Sequence, residues 1–365
     1  MEQENRIRVG ITHGDINSIS YEVLLKTLED VRLLELCDII IYGSAKIAST
    51  YRKIMNLPEV KLYIIDKASD EKSDRYNIIN VVGEDTRLDI GQSTDVAGNA
   101  SFAALERAVA DLAAGDIDVL VTAPINKHNI HSDTFSFPGH TEYLESSLGS
   151  KGDAMMIMAS DKLRVALVTI HIPLEKVAEA INTELVTERI LSFEKSLKKD
   201  FGIHKPRIAV LSLDPHTGDN GVIGSADNEI IAPAIAEAQT RKVLCFGPYA
   251  ADGFFGSGAY TKFDGVLAMY HDQGLTPFKL IAGESGINFT AGLPYVRTSP
   301  DHGTAYDIAG KGVADESSLR NAIYAAIDIY RNRLSHATAT ANPLRKQNFD
   351  RGSDKLPQES KNADA

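Results

Sequence analysis

The chain has 365 residues, 43% hydrophobic and 24% charged, which is enough to bury a large core and favours two domains. Its formal net charge of −12 argues against nucleic acid or a membrane surface as the main partner, so an anionic ligand would need a local cluster of cations. Cys37 and Cys245 lie in apolar runs, which predicts buried thiols without a disulfide. The polar N-terminus predicts no signal peptide, and no apolar run approaches the roughly 20 residues of a membrane helix, so we expect a cytoplasmic protein.

The first part of the chain alternates apolar runs with segments of helical spacing. The apolar runs predict strands at residues 7–12, 38–42, 62–65, 78–82 and 119–122. The helical spacing predicts helices at residues 21–30, 45–55 and 97–114. This alternation favours a parallel sheet covered by helices, which is the α/β class.

The second part continues with strands and helices and ends in a polar segment. We expect strands at residues 154–159, 164–169, 207–212, 242–246 and 266–269, and helices at residues 174–182, 184–198 and 229–240. A helix from residue 316 to about residue 334 closes the fold. Residues 335–365 are polar and lack periodicity, which predicts a mostly disordered tail.

Three histidines, His171, His216 and His271, each follow a hydrophobic strand. Open α/β sheets place their ligands at the carboxyl ends of strands, and neutral imidazoles there suit a divalent metal with open coordination positions. The alternative is that each histidine is an isolated polar residue in a turn. Asp272, next to His271, could accept a proton.

Several residues near this predicted site could bind an anion. They are Lys279, Asn288 and Arg297, together with His140 and Thr141. Cations in loops of an acidic protein suit a phosphorylated substrate, and the segment Gly139-His140-Thr141 could present donors at a helix N-terminus. Solvated surface charge, and a plain helix cap at Thr141, are the alternatives.

Residues 301–312, DHGTAYDIAGKG, form a loop rich in small residues. Its backbone could approach a flat ligand closely, although a turn followed by a helix cap would have the same composition. No GxGxxG sequence follows the first strand, so a standard dinucleotide-binding fold is not supported.

Six motifs between residues 6 and 333 identify a family in combination. They are TAPINK, FPGHTE, VTIHIPL, LDPHTGDNG, AMYHDQGL and GINFTAGLPYVRTSPDHGTA. Together they resemble the 4-hydroxythreonine-4-phosphate dehydrogenases of the vitamin B6 pathway. The loop at residues 301–312 is also similar to the cofactor-adenosine loop of isocitrate and isopropylmalate dehydrogenases.

The resemblance implies an isopropylmalate-dehydrogenase-like fold with a parallel or mixed sheet and an active-site cleft between two α/β domains. Residues 1–130 and 265–334 would form the domain that carries the cofactor loop, and residues 131–264 the domain with dimer and metal-site elements. The enzyme would be a homodimer whose metal site is shared between chains.

The resemblance also assigns roles to individual residues. The metal ligands would be His171, His216 and His271. The substrate-binding residues would be His140, Thr141, Lys279, Asn288 and Arg297. The cofactor-binding residues would be Asp301, His302, Gly303, Thr304 and Asp307. The candidate general bases are Asp272, Asp252 and Lys127. The cofactor would be NAD or NADP, and the metal zinc, with magnesium or cobalt as alternatives.

The implied reaction is metal-dependent, NAD-linked oxidation of 4-phosphooxy-L-threonine, with decarboxylation to 3-amino-2-oxopropyl phosphate, in pyridoxal phosphate biosynthesis. One alternative is a D-threonate or D-erythronate 4-phosphate dehydrogenase of sugar-acid catabolism. An alternative of another class is a non-catalytic homologue that binds metal or nucleotide.

The loop after the first strand departs from the family pattern. That pattern is Gly-Asp/Glu-Pro-Ala-Gly-Ile-Gly-Pro-Glu, whereas this chain has GDINSISYE at residues 14–22. Ser18 and Ser20 stand where the family has glycines. If those positions need positive φ, we expect backbone strain there.

Overall fold

The computed structural model describes residues 6–131, 137, 139–148 and 154–342. Its strands are β1 (Ile7–Thr12), β2 (Cys37–Gly43), β3 (Leu62–Ile64), β4 (Tyr76–Asn80), β5 (Val119–Thr122), β6 (Met155–Ala159), β7 (Arg164–Leu167), β8 (Arg207–Leu211), β9 (Leu244–Tyr249), β10 (Gly265–Ala268), β11 (Ile287–Ala291) and β12 (Val296–Pro300). Its helices are α1 (Ser20–Leu28), α2 (Leu33–Leu36), α3 (Ala45–Met55), α4 (Asp95–Ala114), α5 (His140–Leu148), α6 (Val177–Ala180), α7 (Thr183–Lys199), α8 (Ala232–Thr240), α9 (Ala251–Gly256), α10 (His271–Ala282) and α11 (Ser317–Ala341).

All of these strands join one twelve-stranded sheet in the order β3-β4-β2-β1-β5-β12-β11-β6-β7-β10-β8-β9. The pairs β12–β11, β11–β6 and β6–β7 are antiparallel, and the other pairs are parallel. The expected α/β fold with a mixed sheet is therefore confirmed. None of the described helices combines the length and apolarity needed to cross a bilayer.

The central strands are buried on both faces, which explains why they read as unbroken apolar runs. In β2, Ile39 and Ile41 pack into one hydrophobic cluster, whereas Ile40 and Tyr42 pack into another. Successive side chains of a strand point to opposite faces, so these two clusters are the cores above and below the sheet. Helices cover both, as a largely parallel sheet requires.

Two differences from the predicted elements concern helices. Residues 271–282 form α10, a helix that we did not predict, because Leu275, Phe278 and Ala282 recur at helical spacing and are buried. Helix α11 continues to Ala341, so the expectation that the disordered tail begins at residue 335 is wrong. Its last turns are rich in alanine, which favours helix without burying an apolar face. The rest of the predicted tail, residues 343–365, lies outside the described residues.

The sheet order corrects one expected domain boundary. Strand β10 lies between β7 and β8, which belong to the segment assigned to the second domain. The boundary drawn before Gly265 therefore separates β10 from both of the strands with which it pairs. The division of the chain into two domains itself stays a prediction.

The loop after β1 is buried without the expected strain. Ser18 and Ser20 are fully buried, and neither has a positive φ; within this loop Gly14 alone does, at 66°. The two serine hydroxyls lie 2.8 Å apart, and Ser18 Oγ donates to the carbonyl of Asp15 at 2.7 Å. The serines thus stabilise a loop conformation of their own, and the predicted strain is wrong.

Gly98 lets α4 pack closely on the segment that follows β5. A Cβ at this position would lie 1.8 Å from the carbonyl oxygen of Asn129, which is a backbone atom and cannot move away cheaply. Close approach of α4 therefore fixes the position of Asn129, which takes part in the site described below.

We predict that Gly98→Ala lowers the free energy of unfolding by about 1–3 kcal/mol, as overpacking of a core does. Gly256→Ala is the matched control, because it also lies in a helix and its Cβ would meet no atom within 4 Å. Urea unfolding of both variants checks this. Equal losses in the two variants would contradict the packing role of Gly98.

His13 is a buried neutral histidine at the start of the loop that follows β1. Its Nδ1 lies 2.8 Å from the hydroxyl of Tyr21, and its Nε2 lies 3.0 Å from the carbonyl oxygen of Ala100. Nε2–H donating and Nδ1 accepting satisfies both atoms in the neutral ring. Burial lowers the pKa of His13 from 6.5 to about 4.

This shift predicts a loss of stability in mild acid. Below pH 6.5 the unfolded chain protonates His13 while the folded chain does not, so stability present above pH 6.5 falls until about pH 4. The contribution is about 3 kcal/mol at most. His13→Gln should flatten the dependence of unfolding free energy on pH across this window, whereas the exposed control His204→Gln should not. The same dependence of unfolding free energy on pH in wild type and His13→Gln would contradict this role of His13.

Candidate active site

The three predicted metal-ligating histidines follow three adjacent parallel strands. His171 follows β7, His271 follows β10, and His216 follows β8, and these strands are neighbours in the order β7-β10-β8. The ring centroids of His171 and His271 are 5.9 Å apart. The fold therefore brings the three strand ends together and places two of the imidazoles in contact.

His271 has a carboxylate that fixes its ring. Its Nδ1 lies 2.7 Å from Oδ1 of Asp272, so Nδ1–H donates to this acid and Nε2 is left to face a cation. Desolvation, and then the charges of Lys127 and His271, lower the pKa of His171. Both properties suit neutral imidazoles that ligate a metal.

His216 lies on an unusual turn. Residues 216–221 all have positive φ, with His216 at 53° and the β-branched Thr217 at 55°. Such backbone is costly for residues other than glycine and is concentrated at functional sites. His216 lines a cavity of about 610 Å³ whose wall also includes Asp252 and Asp272. In the part of the chain that the structure describes, no three His, Cys, Asp or Glu side chains are arranged to hold a metal ion.

Arg297 is a buried cation that forms no ion pair with a carboxylate among the described residues. It lies on β12, is 4% exposed, and donates from Nε and Nη2 to Thr122 Oγ1 at 3.1 and 2.6 Å, and from Nη1 to Thr290 Oγ1 at 3.1 Å. Burial lowers its pKa to about 10, although the charge of Glu142 opposes this shift. None of the described carboxylates forms an ion pair with Arg297, so its charge is available to an anionic ligand.

Other predicted substrate residues surround this guanidinium. Desolvation, followed by the charges of Arg297 and Lys127, holds the pKa of His140 well below its ordinary value. His140 begins α5, Thr141 follows it, and Asn288 lies on β11. The buried atoms His140 Nε2 and Asn288 Oδ1 have no described hydrogen-bond partner. Unpaired buried polar atoms around a cation mark a place where a polar ligand can bind.

Helix α10 connects this region to the predicted cofactor loop. It begins at His271, and Lys279, eight residues further on and about 12 Å away, forms an ion pair with Asp301 at 3.1 Å. Lys279 Nζ also donates to the carbonyl of Asp301 at 2.9 Å. Burial raises the pKa of Asp301, and Lys279 opposes that shift. Lys279, which was predicted to bind the substrate, thus contacts Asp301, which was predicted to bind the cofactor.

The remaining predicted cofactor residues lie in the loop between β12 and α11. His302 Nδ1 lies 3.1 Å from the Gly303 carbonyl, and the buried His302 Nε2 has no described partner. The carbonyl of Thr304 accepts from the backbone N–H of Ile19 at 3.2 Å. Gly303 and Asp307 are exposed. The loop is therefore attached to the loop after β1.

The cofactor loop is also attached to the loop after β1 by side chains that were not predicted to belong to the site. Tyr306 donates to Oδ2 of the buried Asp15 at 2.7 Å, and Asn129 Nδ2 donates to the same oxygen at 2.8 Å. Asn126 Nδ2 donates to the Tyr306 hydroxyl at 3.1 Å. These residues follow β1, β5 and β12, which are adjacent and parallel. The strand-end rule that identified the histidines would have found them as well.

Comparisons with known proteins agree over nearly the whole chain. The family model described as "Pyridoxal phosphate biosynthetic protein PdxA" matches residues 35–326. A 4-hydroxythreonine-4-phosphate dehydrogenase of Bacteroides thetaiotaomicron is 54% identical over 356 residues, 97% of this chain and 98% of the relative. One of Sulfurihydrogenibium is 39% identical over 331 residues, 90% and 99% of the two chains. The crystal structure of 4-hydroxythreonine-4-phosphate dehydrogenase from Klebsiella pneumoniae matches with a TM-score of 0.77 at 32% identity, covering 90% of this chain and 99% of that one.

Proposed function

The chain belongs to the PdxA family of pyridoxal phosphate biosynthetic proteins, and from this premise we propose that it oxidises 4-phosphooxy-L-threonine with a nicotinamide cofactor and a divalent metal. The observation that best supports the substrate is Arg297, a buried guanidinium without a carboxylate partner among the described residues. The unsatisfied Nε2 of His140 would donate to the phosphate, and Oδ1 of Asn288 would accept from another group of the substrate, such as its amino group.

Oxidation would remove a hydride from C3 of the substrate and a proton from its hydroxyl. A nicotinamide cofactor bound by the loop at residues 301–312 would supply the hydride acceptor, and the β-keto acid would lose CO₂ to give 3-amino-2-oxopropyl phosphate. Of the three candidate bases, Lys127 is supported by its charge, which affects both His140 and His171. Asp272 already accepts a hydrogen bond from His271, and Asp252 lines the cavity beside His216.

The donor set is suitable for a divalent cation such as zinc, which would act as a Lewis acid toward the substrate hydroxyl. His171 and His271 would hold it from one chain, and Asp272 would fix the orientation of His271. Within the described residues of one chain, no third His, Cys, Asp or Glu completes a metal site with this pair. We therefore place His216 in the metal site of the other subunit of a homodimer.

Exposed apolar side chains beside the histidines support contact with a second chain. Leu174 follows His171 and is 71% exposed, Val222 follows the His216 turn and is 82% exposed, and Leu280 on α10 is 83% exposed. Large apolar side chains clustered around a site are typical of surfaces that another protein covers.

Mixing inactive variants tests the shared metal site. His171→Ala and His216→Ala should each abolish metal binding and turnover as homodimers. Dimers that contain one chain of each kind keep one intact site, so unfolding and refolding the two together should restore about a quarter of wild-type activity. Refolding each variant alone is the control. If the mixture stays inactive although the wild type recovers from the same treatment, one chain supplies both His171 and His216, and the proposed sharing is wrong.

Neutralising the cations tests the phosphate site. Lys279→Met and Arg297→Met should raise the Michaelis constant for the substrate tenfold or more, because each removes a charge-assisted hydrogen bond. Lys53→Met, at an exposed position on α3, is the control. The same substitutions should change the Michaelis constant for 4-hydroxy-L-threonine little, because this analogue lacks the phosphate. A loss as large for this analogue as for the phosphorylated substrate would remove both residues from the phosphate site.

A further inference from the structure

A second cleft is lined by none of the predicted site residues. It has a volume of about 560 Å³, within the range of small-molecule sites. It lies where β6 ends and β7 and β11 begin, and one face of α11 closes it with Asn321, Tyr324 and Asp328. Arg164 opens β7, whereas His171 lies beyond the other end of this strand. The cleft is therefore separated from the histidines by the length of β7.

Arg164 is the cation of this cleft, and its hydrogen-bonding capacity is largely unused. Its Nε is buried and has no hydrogen-bond partner in the described part of the chain. Its Nη1 reaches a single described acceptor, the carbonyl of Asp264, at the long distance of 3.5 Å. The guanidinium stacks on the ring of Phe201 at 5.0 Å from the ring centroid. A partly buried guanidinium held in this way presents its remaining donors to the cleft.

The carboxylates that line the cleft do not neutralise Arg164. Asp200 forms an ion pair with Arg333 at 2.6 Å. Asp328 is three residues from Arg331 on α11, so these two charges lie side by side. Asp161 is exposed in the turn before β7. None of the three forms an ion pair with Arg164 in the described structure. Burial lowers the pKa of Arg164, and the charges of Asp264 and Asp161 oppose this shift.

We infer that this cleft binds a small organic anion, whose carboxylate or phosphate contacts Arg164 and whose apolar body packs on Phe201 and Ile287. The polar side chains Asn321 and Tyr324 on α11 would contact the same head group from the opposite wall. An anion would supply the acceptors that Arg164 lacks, and the aromatic ring would favour a flat body over inorganic phosphate.

Calorimetric titration with phenyl phosphate tests the inference. The active site is first saturated with 4-phosphooxy-L-threonine without cofactor, so that its own anion site is filled. Wild-type protein should still bind phenyl phosphate, and Arg164→Met should weaken this binding at least tenfold. Arg207→Met is the matched control, because Arg207 also opens a strand and stacks on aromatic rings but does not line the cleft. It should bind as the wild type does.

A second variant separates the two contacts. Phe201→Leu should weaken binding of phenyl phosphate while leaving that of inorganic phosphate unchanged. Circular dichroism and the unfolding midpoint establish that each variant is folded. If Arg164→Met does not fold, Phe201→Leu decides the outcome. Absence of binding to the saturated wild type, or equal affinity in wild type and the folded variants, would overturn the inference.

Discussion

The arrangement of the site depends on one buried charge, the guanidinium of Arg297 inside the sheet. Burying an unpaired cation is costly, and the hydroxyls of Thr122 and Thr290 offset only part of the cost because they carry no charge. These threonines lie on β5 and β11, the two neighbours of β12. Arg297 and its two threonine partners therefore lie together in the centre of an otherwise apolar sheet. A phosphate bound there would supply the negative charge that the threonines lack.

Helix α10 brings the separate parts of the site together. It carries His271 and Asp272 at its start and Lys279 in its last turn, next to Asp301. Because β10 and β12 run in opposite directions, their carboxyl ends lie at opposite edges of the sheet, and the helix spans the distance between them. The loop that contains Asp301 is held in turn by Tyr306 and the buried Asp15. A rigid helix and a buried hydrogen-bond network thus set the spacing between the histidines and the loop.

Much of this could be predicted from sequence, because apolar runs identify buried strands and strand ends identify sites. His171 and His271 follow from that rule, and so would Asp15 and Tyr306 if it had been applied to every strand. Helix α10 was missed because its first residues, HDQG, have the composition of a turn, and its buried face appears only later in the helix.

Other features depend on tertiary contacts that sequence patterns do not carry. The strain expected at Ser18 and Ser20 was wrong because neither residue has a positive φ, and the Ser18 hydroxyl donates to the Asp15 carbonyl within the loop. The position of His216 depends on the positive φ angles of residues 216–221. We did not predict this conformation from their sequence, HTGDNG. The unpaired state of Arg297 likewise depends on which carboxylates the fold brings near, and no local pattern encodes that.

The most direct test is the absorbance of NADH at 340 nm formed by chelator-treated protein, with and without added Zn²⁺ or Mg²⁺. The two substrates compared are 4-phosphooxy-L-threonine and D-threonate 4-phosphate. We predict metal-dependent turnover of 4-phosphooxy-L-threonine and little of the sugar acid. Preference for D-threonate 4-phosphate, or no turnover of either by protein that still binds metal, would contradict the proposed function.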